Sequence, residues 1–297
     1  MGKQLLQEIA EKYGAFSKGN KRIADFITEH YEVAAFLTAA ALGQKIGVSE
    51  STVVRFAASL GYRGYPDFQT HLRDLVKSSL TSAQRLEVAN ANLGETDVID
   101  AAMTADIEMI RATRELISRE AFSASVDALH NAKRIYVLGV RSCASLAGFA
   151  AFYLNLVYDE VRLVNTTSMS EIFEQLCRIT QDDVCIAISF PRYSRQTVNA
   201  LRYAAGQGAQ VIAITDSEDS PLAPLATQLL LAKSNMVSFL DSLTAPLSLI
   251  NALIAAAAQR KQDVVYKNLQ KLEDIWGEYQ VYQTQENTTE STETRST

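Results

Sequence analysis

DVCIAISFPRYSRQTVNA, residues 183–200, passes from one kind of backbone to another. Val184–Ile188 is an unbroken apolar run, short enough for a strand buried on both faces. At Ser189 the run breaks into a loop carrying Ser189, Arg192, Ser194, Arg195 and Thr197, and a helix is expected over 195–206. Three hydroxyls and two guanidiniums therefore gather where a strand hands over to a helix. A helix start presents unpaired amides and the positive end of its dipole, so a loop of this kind suits an anion.

The same texture extends to both sides. RIYVLGV (134–140), VRLVN (161–165), QVIAITD (210–216) and TQLLLA (227–232) read as further strands. Helices are expected over 142–157, 169–179, 195–206, 239–260 and 262–277. Short apolar strands alternating with helices mean a parallel sheet covered on both faces, an α/β layered domain. Ligands of such sheets sit outside the C-terminal ends of the strands. A second strand end, YVLGVRSCAS, carries Gly139, Arg141, Ser142 and Ser145. Arg141, Ser142, Ser189, Arg192, Ser194 and Thr197 are thus expected to share one site, with a phosphate as its natural guest. Each hydroxyl taken alone could equally be an ordinary helix cap. Ser168, Ser170 and Glu171 in TSMSEIFEQL either cap the helix they precede, the favoured reading, or reach a sugar hydroxyl.

Residues 1–77 read as all helix. Leu5, Leu6, Ile9 and Tyr13 form one apolar stripe, and Ile23, Phe26, Ile27 and Tyr31 a second. Thr38 is placed to cap a helix ending at Ile46, Gly47-Val48 forms a turn, and Ser49 caps a helix through Leu60. Gly61, Gly64 and Pro66 interrupt the chain, and a further helix is expected from about Asp67. Two helices joined by a tight glycine turn, the second opening on hydroxyls with an arginine one turn later, follow helix-turn-helix logic. Val48, Val53 and Phe56 should face the core. Ser49, Glu50, Ser51, Thr52 and Arg55 should face base edges and phosphates, with Lys45 and Arg63 as backbone contacts. A plain helical hairpin with a solvated face would show the same local pattern.

Composition supports the division. The whole chain of 297 residues carries a net charge of −6. Residues 1–77 hold ten Lys/Arg and eight Asp/Glu, a net of +2, which leaves 18 and 26, a net of −8, for the rest. The halves therefore suit different partners. Cys143, Cys177 and Cys185 have no pairing or CxxC spacing, and His30, His71 and His130 are dispersed, so no disulfide framework, metal site or cofactor is expected. No run is long and apolar enough for a membrane span. The acids in MGKQLLQEIAEKYG argue against a secretion signal, so a cytoplasmic protein is expected.

Two longer matches name a family. LGQKIGVSESTVVRFAASLGYRGYPDF closely resembles the N-terminal domain of RpiR-type bacterial transcriptional regulators. Ser49, Thr52, Val53, Arg55 and Phe56 match its Ser-x-x-Thr-Val-x-Arg-Phe run. Leu60, Gly61, Tyr62, Gly64, Tyr65, Asp67 and Phe68 match its Leu-Gly-aromatic-x-Gly-aromatic-x-Glu/Asp-Phe run. The later segment resembles the sugar isomerase (SIS) domain of the same regulators. Gly139 and Ser142 match its Gly-x-x-Ser, and Ser189 and Ser194 match the ends of its Ser-x-Ser-Gly-x-Thr/Ser loop. Pro191 replaces the middle serine and Arg192 the glycine, so one hydroxyl is lost and a cation gained.

The resemblance implies an all-α helix-turn-helix domain (1–77) and a flavodoxin-like three-layer SIS domain (106–282), while composition makes 78–105 a polar linker with the start of a connecting helix and the Thr/Glu-rich 283–297 a disordered tail. It implies operator DNA and a phosphorylated sugar as ligands, a homodimer or homotetramer, and control of a sugar-catabolic operon, with repression the commoner mode. Aldose–ketose isomerisation needs a positioned acid–base pair. No histidine follows Lys133, and the carboxylates near strand ends are only Glu171, Glu174 and those of the DSEDS run (216–220). A sensor rather than an enzyme is expected. A sugar-phosphate isomerase and a ligand-free DNA-binding scaffold are the alternatives.

Overall fold

The computed structural model describes residues 2–76, 81, 83–86, 97–235 and 240–282. The tail expected to be disordered and most of the expected linker lie outside the described residues.

The N-terminal region is five helices: α1 (Gly2–Lys12), α2 (Lys18–Ala34), α3 (Ala39–Ile46), α4 (Glu50–Ser59) and α5 (Tyr65–Val76). Hydroxyls start three of them. Ser17 accepts the Asn20 amide, Thr38 that of Ala41, and Ser49 that of Thr52, at 3.1–3.3 Å. Each satisfies one of the amides that a helix start leaves unpaired. Ile9, Ile23, Ile27, Leu42, Val53, Phe56, Phe68 and Leu72 meet in one buried core. Helix α5 begins two residues before the expected Asp67, because Pro66 in a first turn loses no helical hydrogen bond and the Asp67 carboxylate accepts the Arg63 amide (3.0 Å). It also ties down the α2–α3 turn. The Tyr65 hydroxyl and Gln69 amide each donate to Leu37 O (2.8 Å), and Arg73 Nε donates to Ala35 O (3.0 Å).

The C-terminal region opens with α6 (Val98–Leu116) and α7 (Arg119–Asn131). It continues as β1 (Ile135–Gly139), α8 (Cys143–Leu154), β2 (Val161–Val164), α9 (Met169–Leu176), β3 (Val184–Ile188), α10 (Arg195–Gly206), β4 (Gln210–Thr215), β5 (Gln228–Leu231), α11 (Thr244–Arg260) and α12 (Gln262–Glu278). Every strand expected from the sequence is present. The helix expected from 239 starts only at Thr244. Asp97 caps α6 through the Ile99 amide (2.7 Å).

The strands pair in the order β2-β1-β3-β4-β5, all parallel, with Ile135 opposite both Val161 and Val184. Alternate side chains go to opposite layers. Ile135, Val137, Ile186, Ile188, Ile212 and Ile214 pack with α7, α8 and α11. Tyr136, Leu138, Cys185, Ala187, Val211 and Ala213 pack with α9 and α10. At the N-terminal edge of the sheet Arg134 grips Asp183 through two bonds, Nε–Oδ1 at 2.9 Å and Nη2–Oδ2 at 2.8 Å. Asp183 also accepts the Thr180 amide and hydroxyl. Burial alone would raise its pKa, but these donors prevail and hold it below the ordinary carboxylate value.

One glycine sets the geometry of the helix pair α3–α4. A Cβ at Gly43 would lie 2.8 Å from the Val48 carbonyl oxygen, an atom the turn cannot move. Gly43→Ala should therefore open the α3–α4 corner at a cost of about 1–3 kcal/mol. Hydrogen exchange on the intact chain should accelerate at amides 39–60 and stay unchanged in the strands of the sheet.

Candidate functional site

Two surfaces collect the residues singled out in the sequence. The first is the outer face of α4. Gly47 takes φ +68 at the end of α3, a left-handed conformation that costs glycine nothing, and its carbonyl accepts Arg22 Nη1 (3.1 Å). Behind the turn, Val53 and Phe56 are fully buried and Val48 is half-buried against the same core. Lys45, Ser49, Glu50, Ser51, Arg55 and Arg63 are exposed, and Thr52 is half-buried. The hydroxyls form a chain: Ser49 Oγ lies 2.9 Å from Ser51 Oγ and 2.8 Å from Thr52 Oγ1. Arg55 Nη2 reaches Thr52 Oγ1 at 3.5 Å, which holds the guanidinium along the helix. Val54, 40% exposed, joins this face and was not among the expected residues. Helical spacing from Ser51 was the signal for it.

The second surface is the crevice above β1 and β3. The connection from β1 runs to β2 on one side and the chain returns to β3 on the other, so the loops after the two strands diverge and leave a cleft between them. Those loops are 140–142 and 189–194. Gly139 permits the first: a Cβ there would lie 2.5 Å from the Cys143 carbonyl oxygen, so α8 begins directly against the strand end. Arg141 and Arg192 are exposed and hold φ +58 and +66. Only one other non-glycine residue among those described, Gln280, has a positive φ. Such backbone persists where surrounding structure enforces it, and it gathers at binding sites. Arg192 stands where the SIS pattern has glycine, and its φ lies in the left-handed region that favours glycine.

The hydroxyls divide. Ser142 is exposed and makes no capping bond to its own helix. Ser189 is 4% exposed, and its Oγ accepts the Ser194 amide at 3.4 Å. Ser194 does cap its helix, accepting the Gln196 amide at 3.2 Å. Thr197 is fully buried beneath the loop, with no hydrogen-bond partner for its hydroxyl among the described residues. The structure thus brings Arg141, Ser142, Ser189, Arg192 and Ser194 to one rim and places Thr197 beneath it, in the buried first turn of α10.

Neighbours brace this rim. Tyr193 donates to Asp216 Oδ1 (2.7 Å), tying the β3 loop to the β4 loop. Burial first, then the Asp216 charge and hydrogen bond, push the Tyr193 pKa up. Gln196 Nε2 donates to Thr167 O at 2.5 Å. Burial raises the Cys143 thiol to about 11, opposed by hydrogen bonds with the Phe190 amide and Ser142, so the thiol joins the β1 and β3 loops. Of the carboxylates near the strand ends, two are engaged in the loops themselves: Glu171 accepts Thr166 Oγ1 (2.5 Å) and Asp216 accepts Tyr193. Ser168 precedes α9 but makes no side-chain capping bond, and its hydroxyl meets that of Ser170 instead (3.0 Å). No group of three or more His, Cys, Asp or Glu among the described residues could hold a metal ion. No described helix is long and apolar enough to cross a membrane.

The rpiR-family helix-turn-helix domain model matches residues 3–79, and the SIS domain model matches 128–256. The sugar isomerase domain of an RpiR transcription factor from Sphaerobacter thermophilus is 30% identical, with 96% of its chain covered by 58% of this one at a TM-score of 0.56. The chain belongs to the RpiR family. The HTH-type transcriptional regulator HexR of Escherichia coli is 29% identical over 233 residues, which is 75% of each chain. Vibrio vulnificus NanR, solved as a complex with ManNAc-6P, shares the fold over 92% of this chain and 97% of its own, at 22% identity and a TM-score of 0.56. The protein is a transcriptional regulator with an N-terminal helix-turn-helix and a C-terminal SIS domain.

The strained arginine gives a test within this RpiR chain. A non-glycine residue in the left-handed region costs about 1–2 kcal/mol, part of which glycine's greater freedom in the unfolded chain offsets. Arg192→Gly should raise the melting temperature of the SIS domain by about 1–4 °C in differential scanning fluorimetry. A fall would mean that contacts of the Arg192 side chain hold the loop more firmly than its backbone loosens it.

Proposed function

We propose that the protein is a cytoplasmic repressor of a sugar-catabolic operon whose operator affinity is set by a phosphorylated sugar bound at the β1/β3 crevice. The pair of left-handed arginines at the crevice rim carries this reading. Two enforced guanidiniums beside an uncapped Ser142 and the loop hydroxyls supply charge and neutral donors to one anion. Phosphate oxygens accept from all of them. Arg141, Ser142, Ser189, Arg192 and Ser194 form the ligand set. The protein senses the sugar phosphate and does not convert it, since Glu171 and Asp216 serve the loops' own hydrogen bonds.

On the DNA side, α4 enters the major groove with Ser51, Thr52, Val54 and Arg55 toward base edges, while Ser49, Lys45 and Arg63 position the backbone. Glu50 faces the same groove. A second copy of the chain covers α6, where Val98, Ile99, Met103 and Ile107 are all at least half exposed. A dimer supports a two-fold operator. The 1–77 and 106–282 units are the DNA-binding and effector domains, joined through 78–105.

A thermal-shift panel of hexose, pentose, amino-sugar and inositol-derived phosphates tests the effector. A ligand at a hundred times its Kd adds about 2.7 kcal/mol, a shift of several degrees. The hit should vanish in Ser189→Ala/Ser194→Ala, and a panel without any hit would sink the sugar-phosphate assignment. For DNA, Arg55→Ala should weaken binding to a selected operator by about 1–3 kcal/mol and to a scrambled duplex by much less. Equal losses on both would make Arg55 a phosphate contact.

A further inference from the structure

One turn of helix is described between the two domains, at 83–86, and it has its own reciprocal cap. The Gln84 amide donates to Thr81 Oγ1 (3.3 Å), and the Thr81 amide donates to Gln84 Oε1 (2.9 Å). This box satisfies both amides at the start of the turn. The Arg85 amide closes the turn on Thr81 O at 3.0 Å. The side chain so presented leaves the linker and enters the effector domain. Arg85 is 2% exposed, and its Nη1 lies 2.8 Å from Asp241 Oδ2.

Asp241 belongs to the segment that leads from β5 into α11. In an all-parallel sheet that segment leaves from the same edge as the 140–142 and 189–194 loops. Its charge is felt at Cys143, the first residue of α8, immediately after Ser142. The residues following Asp241 hold the connecting helix. Ser242 Oγ and Thr244 Oγ1 donate to the two oxygens of Asp106, at 2.6 and 2.8 Å. Three residues of one segment, Asp241, Ser242 and Thr244, therefore grip the linker turn and α6 together, within electrostatic reach of the start of α8.

A buried ion pair is a poor way to gain stability, because desolvation offsets most of the attraction, and removing one partner leaves the other buried and unpaired. A linker that needed only reach would not place an arginine there. A contact of this kind, costly to break halfway, suits a switch between a docked and a released linker.

We propose that the Arg85–Asp241 pair is a latch through which the effector crevice sets the position of the DNA-binding domain. Docked, it fixes the linker against the effector domain. An anion arriving at the start of α8 repels Asp241 and offers the Arg85 guanidinium a second partner, so the latch releases. The identity of the trigger rests on the sugar-phosphate reading, whereas the latch itself does not.

The test uses the full chain and a fluorescent duplex selected by the wild-type protein from a random library, with no sugar phosphate present. Arg85→Gln and Asp241→Asn should each change the Kd for the duplex at least about fivefold and in the same direction. The double variant R85Q/D241N should change it by about as much as either single and in the same direction. The swap Arg85→Asp with Asp241→Arg should return it toward the wild-type value. Deuterium uptake at residues 81–86 should show the same pattern. Unchanged affinity in the single variants, shifts that add in the double, or a swap that restores nothing would overturn the latch. Should a single variant not fold, the neutral double against the swap decides: an unshifted double overturns the proposal, and a shifted double restored by the swap supports it. Because no sugar phosphate is present, failure here leaves the effector assignment standing, and an empty thermal-shift panel leaves the latch standing.

Discussion

The effector domain depends on the parallel pairing of β1 with β3. Both strands run the same way, yet the chain leaves β1 toward β2 and comes back past it to reach β3. The helices that make those crossings must lie on opposite faces, α8 on one and α9 on the other. Their loops part above the β1/β3 boundary, and no side chain is needed to create the cleft. What side chains decide is how close the parts come. Without a Cβ at Gly139, α8 can start against the strand end, and its first amides face the place where the β3 loop turns over.

Charge is then distributed along this rim by backbone strain and burial acting together. Arg141 and Arg192 sit in a conformation that arginine does not choose, and around Arg192 the braces from Tyr193 to Asp216 and from Gln196 to Thr167 explain how it is held. A loop braced in this way meets a ligand already ordered, so little conformational freedom is left to lose on binding. The helix-turn-helix works by a similar economy. Gly43 and Gly47 allow close contact behind α4, and the hydroxyl chain from Ser49 to Thr52 steadies Arg55 in front of it.

Much of this was legible in the sequence, because local rules and the family pattern agreed. Apolar runs marked all five strands, and Thr38 and Ser49 marked helix starts that the structure caps through those very hydroxyls. Boundaries shifted where a local signal met a competing one. Pro66 moved α5 earlier, because a proline in a first turn reads as a breaker from sequence alone. The loop hydroxyls could not be sorted by type. Ser194 caps its helix, Ser142 does not, and Thr197 turns inward, differences set by side-chain direction and by what packs above. The Arg85–Asp241 contact spans 156 positions and had no periodicity or motif to announce it. Val54 was hidden by its own chemistry, since an apolar residue on a helix is read first as core.

The bidentate Arg134–Asp183 pair lies at the opposite edge of the sheet from the crevice loops. It joins the beginnings of the two strands whose ends carry the ligand loops. The register of β1 against β3 is thus secured at one end while the chemistry is displayed at the other. Such an arrangement lets the scaffold and the recognition surface drift independently in evolution. Pro191 and Arg192, which stand where the pattern has serine and glycine, reshape the 189–194 loop without touching the staple that holds the strands in register.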